Sequence, residues 1–155
     1  MKGLGEEKRV FPLDTVSAGV ILIILAVTYL IYSPNISSSE IIDYFRMMGN
    51  LKTFIKPPLI LFDPAILFFN AVGVWSLILS GLHIVLQRSV GKALEAITGA
   101  SLSFFIAFLL TNYADDIFTW QTTLGYFIVG IGVLVIVNGV IHFALPEKGE
   151  LNKKR

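Results

Sequence analysis

The sequence predicts an all-α integral membrane protein, an antiparallel four-helix transmembrane bundle with a short outer amphipathic helix between the first two spans. Three observations predict this fold class. Of the 155 residues, 55% are apolar and only 15% are charged, whereas charged residues make up about a quarter of a soluble domain. Four long stretches lack Asp, Glu, Lys and Arg, and small residues recur within them at seven-residue intervals. We therefore expect residues 1–155 to form a single membrane domain that has the lipid bilayer as its main solvent.

The four charge-free stretches mark the transmembrane helices. They cover residues 15–39, 64–87, 96–114 and 117–146. About 20 apolar residues in a helix cross a hydrocarbon core of ~30 Å, and a helix satisfies its own backbone hydrogen bonds there. We place the four helices at about residues 13–32, 64–87, 93–113 and 122–145. Asp63 and Pro64 suit the start of the second span, as cap and first helical residue.

The long connection between the first two spans contains a further predicted helix at about residues 38–49. Ser37 and Glu40 have the spacing of a capping box, which satisfies exposed N–H groups at a helix start. Ile41, Phe45 and Met48 then recur on one face. Two arrangements remain open for this helix: it lies on the outer leaflet with its apolar face in lipid, or it packs on the end of the bundle.

Basic residues predict the orientation in the membrane. Nine of them fall in the two tails and in the connection between the second and third spans, namely Lys2, Lys8, Arg9, Arg88, Lys92, Lys148, Lys153, Lys154 and Arg155. Three fall on the other side, namely Arg46, Lys52 and Lys56. Cytoplasmic loops carry the excess of Lys and Arg. We therefore expect a cell-membrane protein with both termini in the cytoplasm.

Small residues predict where the helices touch, because helices in lipid associate through close packing. The seven-residue series are Gly19, Ala26 and Ser33 in the first span, Gly73 and Ser80 in the second, and Gly125, Gly132 and Gly139 in the fourth. A seven-residue repeat keeps one seam in contact in a left-handed bundle. It predicts that Gly132 lies at a close helix contact.

The second span also carries a polar face, formed by Asn70, Gly73, Ser76, Ser80, His83 and Gln87. Lipid cannot satisfy these hydrogen-bonding groups, so the face should point into the bundle. It then serves either as interhelical hydrogen bonding or as a polar pathway or ligand site.

The two histidines, His83 and His142, are the candidate ligands. Each follows a Gly-Val pair at the same spacing, and both should lie at similar depth near the cytoplasmic interface. Two imidazoles on two helices suit a b-type haem. With Glu95 they suit a two-histidine, one-carboxylate metal site, and without a metal the trio suits a proton relay. A structural role, with each ring hydrogen-bonded to a neighbouring helix, is the other interpretation.

The sequence favours a non-catalytic function. It contains no cysteine and none of the common phosphate-binding, metalloprotease or serine-hydrolase motifs. A net charge of +1 gives no electrostatic reason to expect a nucleic-acid partner. We expect an accessory or structural subunit of a larger membrane complex, bound to a membrane-protein partner or to itself. The alternative is a redox or ion- or proton-translocating protein that uses His83 and His142.

Overall fold

The structure, a computed structural model, describes residues 13–35, 38–50 and 59–144. Its α-helices are α1 (Leu13–Tyr32), α2 (Ser38–Asn50), α3 (Leu59–Leu82), α4 (Val90–Ala114) and α5 (Trp120–Ala144). A 3₁₀ turn follows α1 at Ser33–Asn35, and a π-helical turn continues α3 at His83–Gln87. These ranges contain no strand. The capping residue Ser37, the basic residues Lys52 and Lys56, and those of both tails lie outside the described residues.

Four of these helices are long and apolar enough to cross a membrane. The qualifying spans are Leu13–Tyr32, Ile60–Gln87, Val90–Ala114 and Trp120–Ile141. The prediction of a multi-pass membrane protein is therefore confirmed. α2 has 13 residues, which at about 1.5 Å each is too short to cross the core. Its place on the outer leaflet or on the end of the bundle stays a prediction.

α3 begins at Leu59 rather than at Pro64, so Asp63 and Pro64 lie within the helix and do not start it. The missing N–H of Pro64 costs one hydrogen bond near the helix start, to the carbonyl of Ile60. The extra turn adds an apolar contact in exchange. Phe62 is buried and meets the ring of Tyr113 edge-on, with ring centroids 5.4 Å apart. The burial of Phe62 and its edge-on ring contact stabilise this extra turn.

The spans pack in chain order, α1 on α3, α3 on α4 and α4 on α5. The interface between α3 and α4 is the largest, and the face of α4 that it buries is built from small residues, Ala93, Ala100, Ser103 and Ala107. Within the described residues, α1 and α5 share no extensive contact. A closed four-helix arrangement therefore stays a prediction.

Of the glycines in the seven-residue series, Gly73 lies at a close helix contact, whereas those of α5 do not. A Cβ placed on Gly73 would lie 2.8 Å from the ring of Phe104, and one on Gly130 would overlap the ring of Phe105. A Cβ on Gly132 would meet no atom of the described residues within 4 Å, and the same holds for Gly125 and Gly139. The prediction for Gly132 is wrong. Gly130 and Gly132 point roughly 200° apart on a helix, so the glycine repeat marks the face turned away from α4.

Candidate functional site at the Asp14 end

The polar face of α3 points inward over most of its length. Ser80 and His83 are 5% and 3% exposed, and Gly73 is buried as well. The prediction that Ser80 and His83 are buried is confirmed. Asn70 is an exception to the inward orientation of this polar face. Its side chain is exposed, and its amide donates to the carbonyl of Ile66 at 3.0 Å. An amide can be partly satisfied by its own helix in this way, so a polar residue in lipid does not have to face the interior.

His83 begins the π-helical turn that ends this span. Its Nδ1 lies 2.9 Å from Oε1 of Gln87. Its backbone carbonyl accepts from the N–H groups of Arg88 and Ser89, the latter at 3.2 Å. Arg88 takes a left-handed conformation with φ 51°, which turns the chain directly into α4. The buried imidazole is therefore held both by its side chain and by its backbone at the point where the chain reverses.

The start of α4 brings a cation to the same place. Ser89 caps the helix, and its side chain accepts from the backbone N–H of Lys92 at 3.4 Å. The ammonium of Lys92 lies 2.9 Å from Oδ2 of Asp14, near the beginning of α1. Three helix ends thus meet here, and we call this end of the molecule, where α1 and α4 begin and α3 ends, the Asp14 end.

Sequence reasoning missed the pair of Asp14 and Lys92. The two residues are 78 positions apart. Each is a charged residue close to the end of a predicted span, and nothing in the sequence links one to the other. A second missed contact lies further into α1, where the indole N–H of Trp75 donates to Oγ of Ser17 at 3.1 Å. A buried indole N–H needs an acceptor, so Trp75 signals a polar contact, but the sequence alone does not name Ser17.

The other candidate ligands are placed less fully. His142 belongs to α5, but its side chain lies outside the described residues. Glu95 is an exposed residue of α4. No group of three or more His, Asp or Glu side chains able to hold a metal occurs in the part of the chain that the structure describes. The metal site formed by His83, His142 and Glu95 and the haem site formed by the two histidines therefore stay predictions.

Comparison with known proteins identifies no relative of this chain. The chain matches no protein-family model, no curated protein and no solved structure. Chemically, the Asp14 end offers one titratable imidazole, one carboxylate and one ammonium group at the boundary of the spans. The ion pair between Lys92 and Asp14 can hold the start of α1 against the start of α4 electrostatically.

Proposed function

We propose that the chain is a small non-catalytic membrane subunit that packs the open face of α5 against a helix of a membrane-protein partner or of a second copy. The proposal is based on the observation that α5 packs against α4 through one face only in the described residues. Its half-buried residues, Thr123, Phe127, Gly130, Leu134, Asn138 and Ile141, share the face turned to α4. The glycine repeat lies on the opposite face and meets nothing in the described part of the chain.

Lipid alone gives no physical reason for three glycines in register. Glycine lowers helix propensity by about 1 kcal/mol relative to alanine in water, and in membranes small residues allow two helix backbones to approach closely. A seven-residue spacing keeps Gly125, Gly132 and Gly139 on one seam with a left-handed partner helix. Because these three glycines meet no described residue of their own chain, their seven-residue spacing supports a contact with a helix of another chain.

Within the subunit, we propose the antiparallel four-helix arrangement. The contacts that support it run in opposite directions along neighbouring helices. Phe62, near the start of α3, meets Tyr113 near the end of α4, whereas Gly73 meets Phe104 further back along α4. Two-residue connections such as Arg88–Ser89 favour antiparallel neighbours. We further propose that the membrane is the cell membrane and that the Asp14 end faces the cytoplasm.

The test substitutes one open glycine in each of two spans. Gly132→Leu should shift the subunit from its assembled form to the monomer, measured by single-molecule photobleaching of a labelled full-length chain in native membrane vesicles. Gly19→Leu is the matched control, because a Cβ on Gly19 also meets no described atom within 4 Å, and it should leave assembly unchanged. Both variants should unfold at the wild-type temperature. A wild-type chain that assembles with neither itself nor another protein would refute the proposal.

A second candidate, a redox or ion- or proton-translocating protein, is favoured by the burial of His83. Ligating histidines commonly have one ring nitrogen fixed by a neighbouring group, and Gln87 occupies that position at Nδ1. Under this proposal His83 and His142 hold a b-type haem, or hold a metal together with Glu95. A visible spectrum of the purified protein with a Soret band that His83→Ala removes would support haem. A featureless spectrum together with a metal-free analysis would leave the accessory function alone.

A further inference from the structure

A groove lies between the later turns of α1 and the early turns of α3, on the side away from the Asp14 end. It has a volume of about 250 Å³, and its walls are almost entirely carbon. The lining residues are Leu25, Thr28, Tyr29 and Tyr32 of α1 and Pro64, Ala65, Phe68 and Phe69 of α3. Thr28 is buried, whereas Leu25 and Tyr29 are exposed, so the groove opens along the side of the helix pair.

The groove occurs beyond the polar contacts that tie α1 to its neighbours. Within the described residues, these contacts are made by Asp14, which pairs with Lys92, and by Ser17, which accepts from Trp75. Both lie in the first two turns of α1. At the other end, α3 presents two aromatic rings at consecutive positions 68 and 69, with centroids 5.5 Å apart. Such bulky side chains prevent the close backbone approach that small residues allow.

The position and lining of the groove determine which molecules can enter it. Both of its walls belong to helices long and apolar enough to cross a membrane, so its opening meets hydrocarbon. Water does not suit the groove, because a buried water needs about two to four polar partners and the lining supplies almost none. An apolar cavity of ~150 Å³ takes up benzene, so this larger groove has room for a longer hydrocarbon.

We propose that the groove binds one acyl chain of a membrane glycerophospholipid, from the leaflet on the side away from the Asp14 end. Between Leu25 and Tyr32 the groove extends about 10 Å along α1, which is less than the ~15 Å of hydrocarbon in one leaflet. A chain that enters beside Tyr32 therefore runs parallel to the two helices and stays within its own leaflet. Tyrosine is enriched at the headgroup level, and the hydroxyls of Tyr29 and Tyr32 can donate to ester or phosphate oxygens of the same lipid.

Close packing, rather than a hydrophobic gain, holds the acyl chain in the groove. Lipid tails are as apolar as the side chains that line it, so leaving the bulk lipid brings no hydrophobic benefit. The gain is dispersion contact with two fixed walls, which an empty groove would lose. The bound chain in turn joins α1 to α3 along turns in which the described residues form no polar contact between these helices. The site is separate from the glycine face of α5.

Two matched substitutions test the site on the full-length chain. Ala65→Phe places a ring inside the groove, and Ala26→Phe is the control, at an exposed position of α1 outside the lining. Each chain is reconstituted in phosphatidylcholine vesicles, released in mild detergent and weighed by native mass spectrometry. The wild type and Ala26→Phe should carry one lipid, and Ala65→Phe should carry it about tenfold less often, because the new ring overpacks the site. A wild-type chain released without lipid, or with a second protein chain in its place, overturns the proposal, as does equal lipid binding by the two variants.

A second measurement on the wild-type chain keeps the proposal testable if Ala65→Phe does not fold. Phosphatidylcholine with a photoreactive diazirine in one acyl chain is cross-linked to the protein in vesicles, and the adducts are located by mass spectrometry. Phe68 and Phe69 are half-buried in the groove and should carry several-fold more adduct than Ile23, which is 62% exposed and lies close to Leu25 on α1. Bulk lipid would label the chain according to exposure and give the opposite order. Higher labelling of Ile23 than of Phe68 would refute the bound acyl chain.

Discussion

Two adjacent phenylalanines of α4 determine how that helix meets its two neighbours. Consecutive residues on an α-helix point about 100° apart, so Phe104 and Phe105 reach different neighbouring helices. The ring of Phe104 covers Gly73 of α3, and the ring of Phe105 covers Gly130 of α5. Each ring occupies the space in which a side chain would stand. At these two positions, glycine allows a close approach between an aromatic ring and a backbone.

The first prediction compares two glycines of α5 that differ in this respect. Gly130→Ala should destabilise the fold by about 1–3 kcal/mol, because the new methyl group overpacks against Phe105. Gly132→Ala should be neutral or stabilising by up to about 1 kcal/mol, because alanine has the better helix propensity. The measurement is reversible unfolding of the full-length chain in detergent micelles. Phe105→Leu should partly restore the Gly130→Ala variant, and equal effects of the two alanine substitutions would show that Phe105 does not pack on Gly130.

At the scale of the elements, the connection between α3 and α4 has an unusual backbone conformation. The π-helical turn His83–Gln87 widens the last turn of the span, and Arg88 reverses the chain with a positive φ. A residue with a Cβ is strained in the left-handed region, where glycine is not. π-helical turns often occur at functional positions. Here the turn holds the buried ring of His83 in place, which ties the candidate site to the geometry of the connection.

The second prediction separates the backbone strain at Arg88 from its charge. Arg88→Gly should stabilise the folded chain relative to Arg88→Ala by about 0.5–1 kcal/mol, because both variants lose the guanidinium group and only glycine relieves the positive φ. Unfolding in micelles measures the difference, with Ser101→Gly against Ser101→Ala as the control at an exposed site within α4. At the control site the order should reverse, since glycine weakens a helix interior. The same order at both sites would mean that Arg88 is not strained.

Some helix boundaries can be predicted from the sequence and others cannot, because different interactions set them. α1 occupies Leu13–Tyr32, the range in which the apolar run is bounded by charge and by proline. α3 begins earlier than the local signals of Asp63 and Pro64 indicate, because Phe62 gains a ring partner in α4. α4 begins at Val90 because Ser89 caps it. Hydropathy determines the spans, whereas contacts between helices and individual caps determine where they start.

At the scale of the whole molecule, the periodicity of the sequence identifies distinct faces of the helices but does not identify the element that packs on each face. The inward face of α3 was correctly inferred from Ser80 and His83, because a polar residue in a membrane needs a partner. Gly132 of α5 was predicted to lie at a close helix contact, yet a Cβ there meets no atom of the described residues within 4 Å, because a repeat carries no information about what packs on its face. The contact of Asp14 with Lys92 could not be inferred, since it depends on how three helix ends come together.

The last prediction tests the proposed orientation of the whole molecule. The chain has no cysteine, so single cysteines report position without background. Lys2→Cys, Val90→Cys and Lys153→Cys should resist an impermeant thiol reagent in intact cells and react once the membrane is opened. Ser38→Cys and Asp115→Cys should react in intact cells, because α2 and the connection after α4 fall on the side with few basic residues. Val90 is the first residue of α4 and Asp115 directly follows its last, so opposite labelling at the two ends shows both that α4 crosses the membrane and in which direction. Labelling of Val90→Cys from outside would invert the proposed orientation and place the Asp14 end, with His83, on the outer surface.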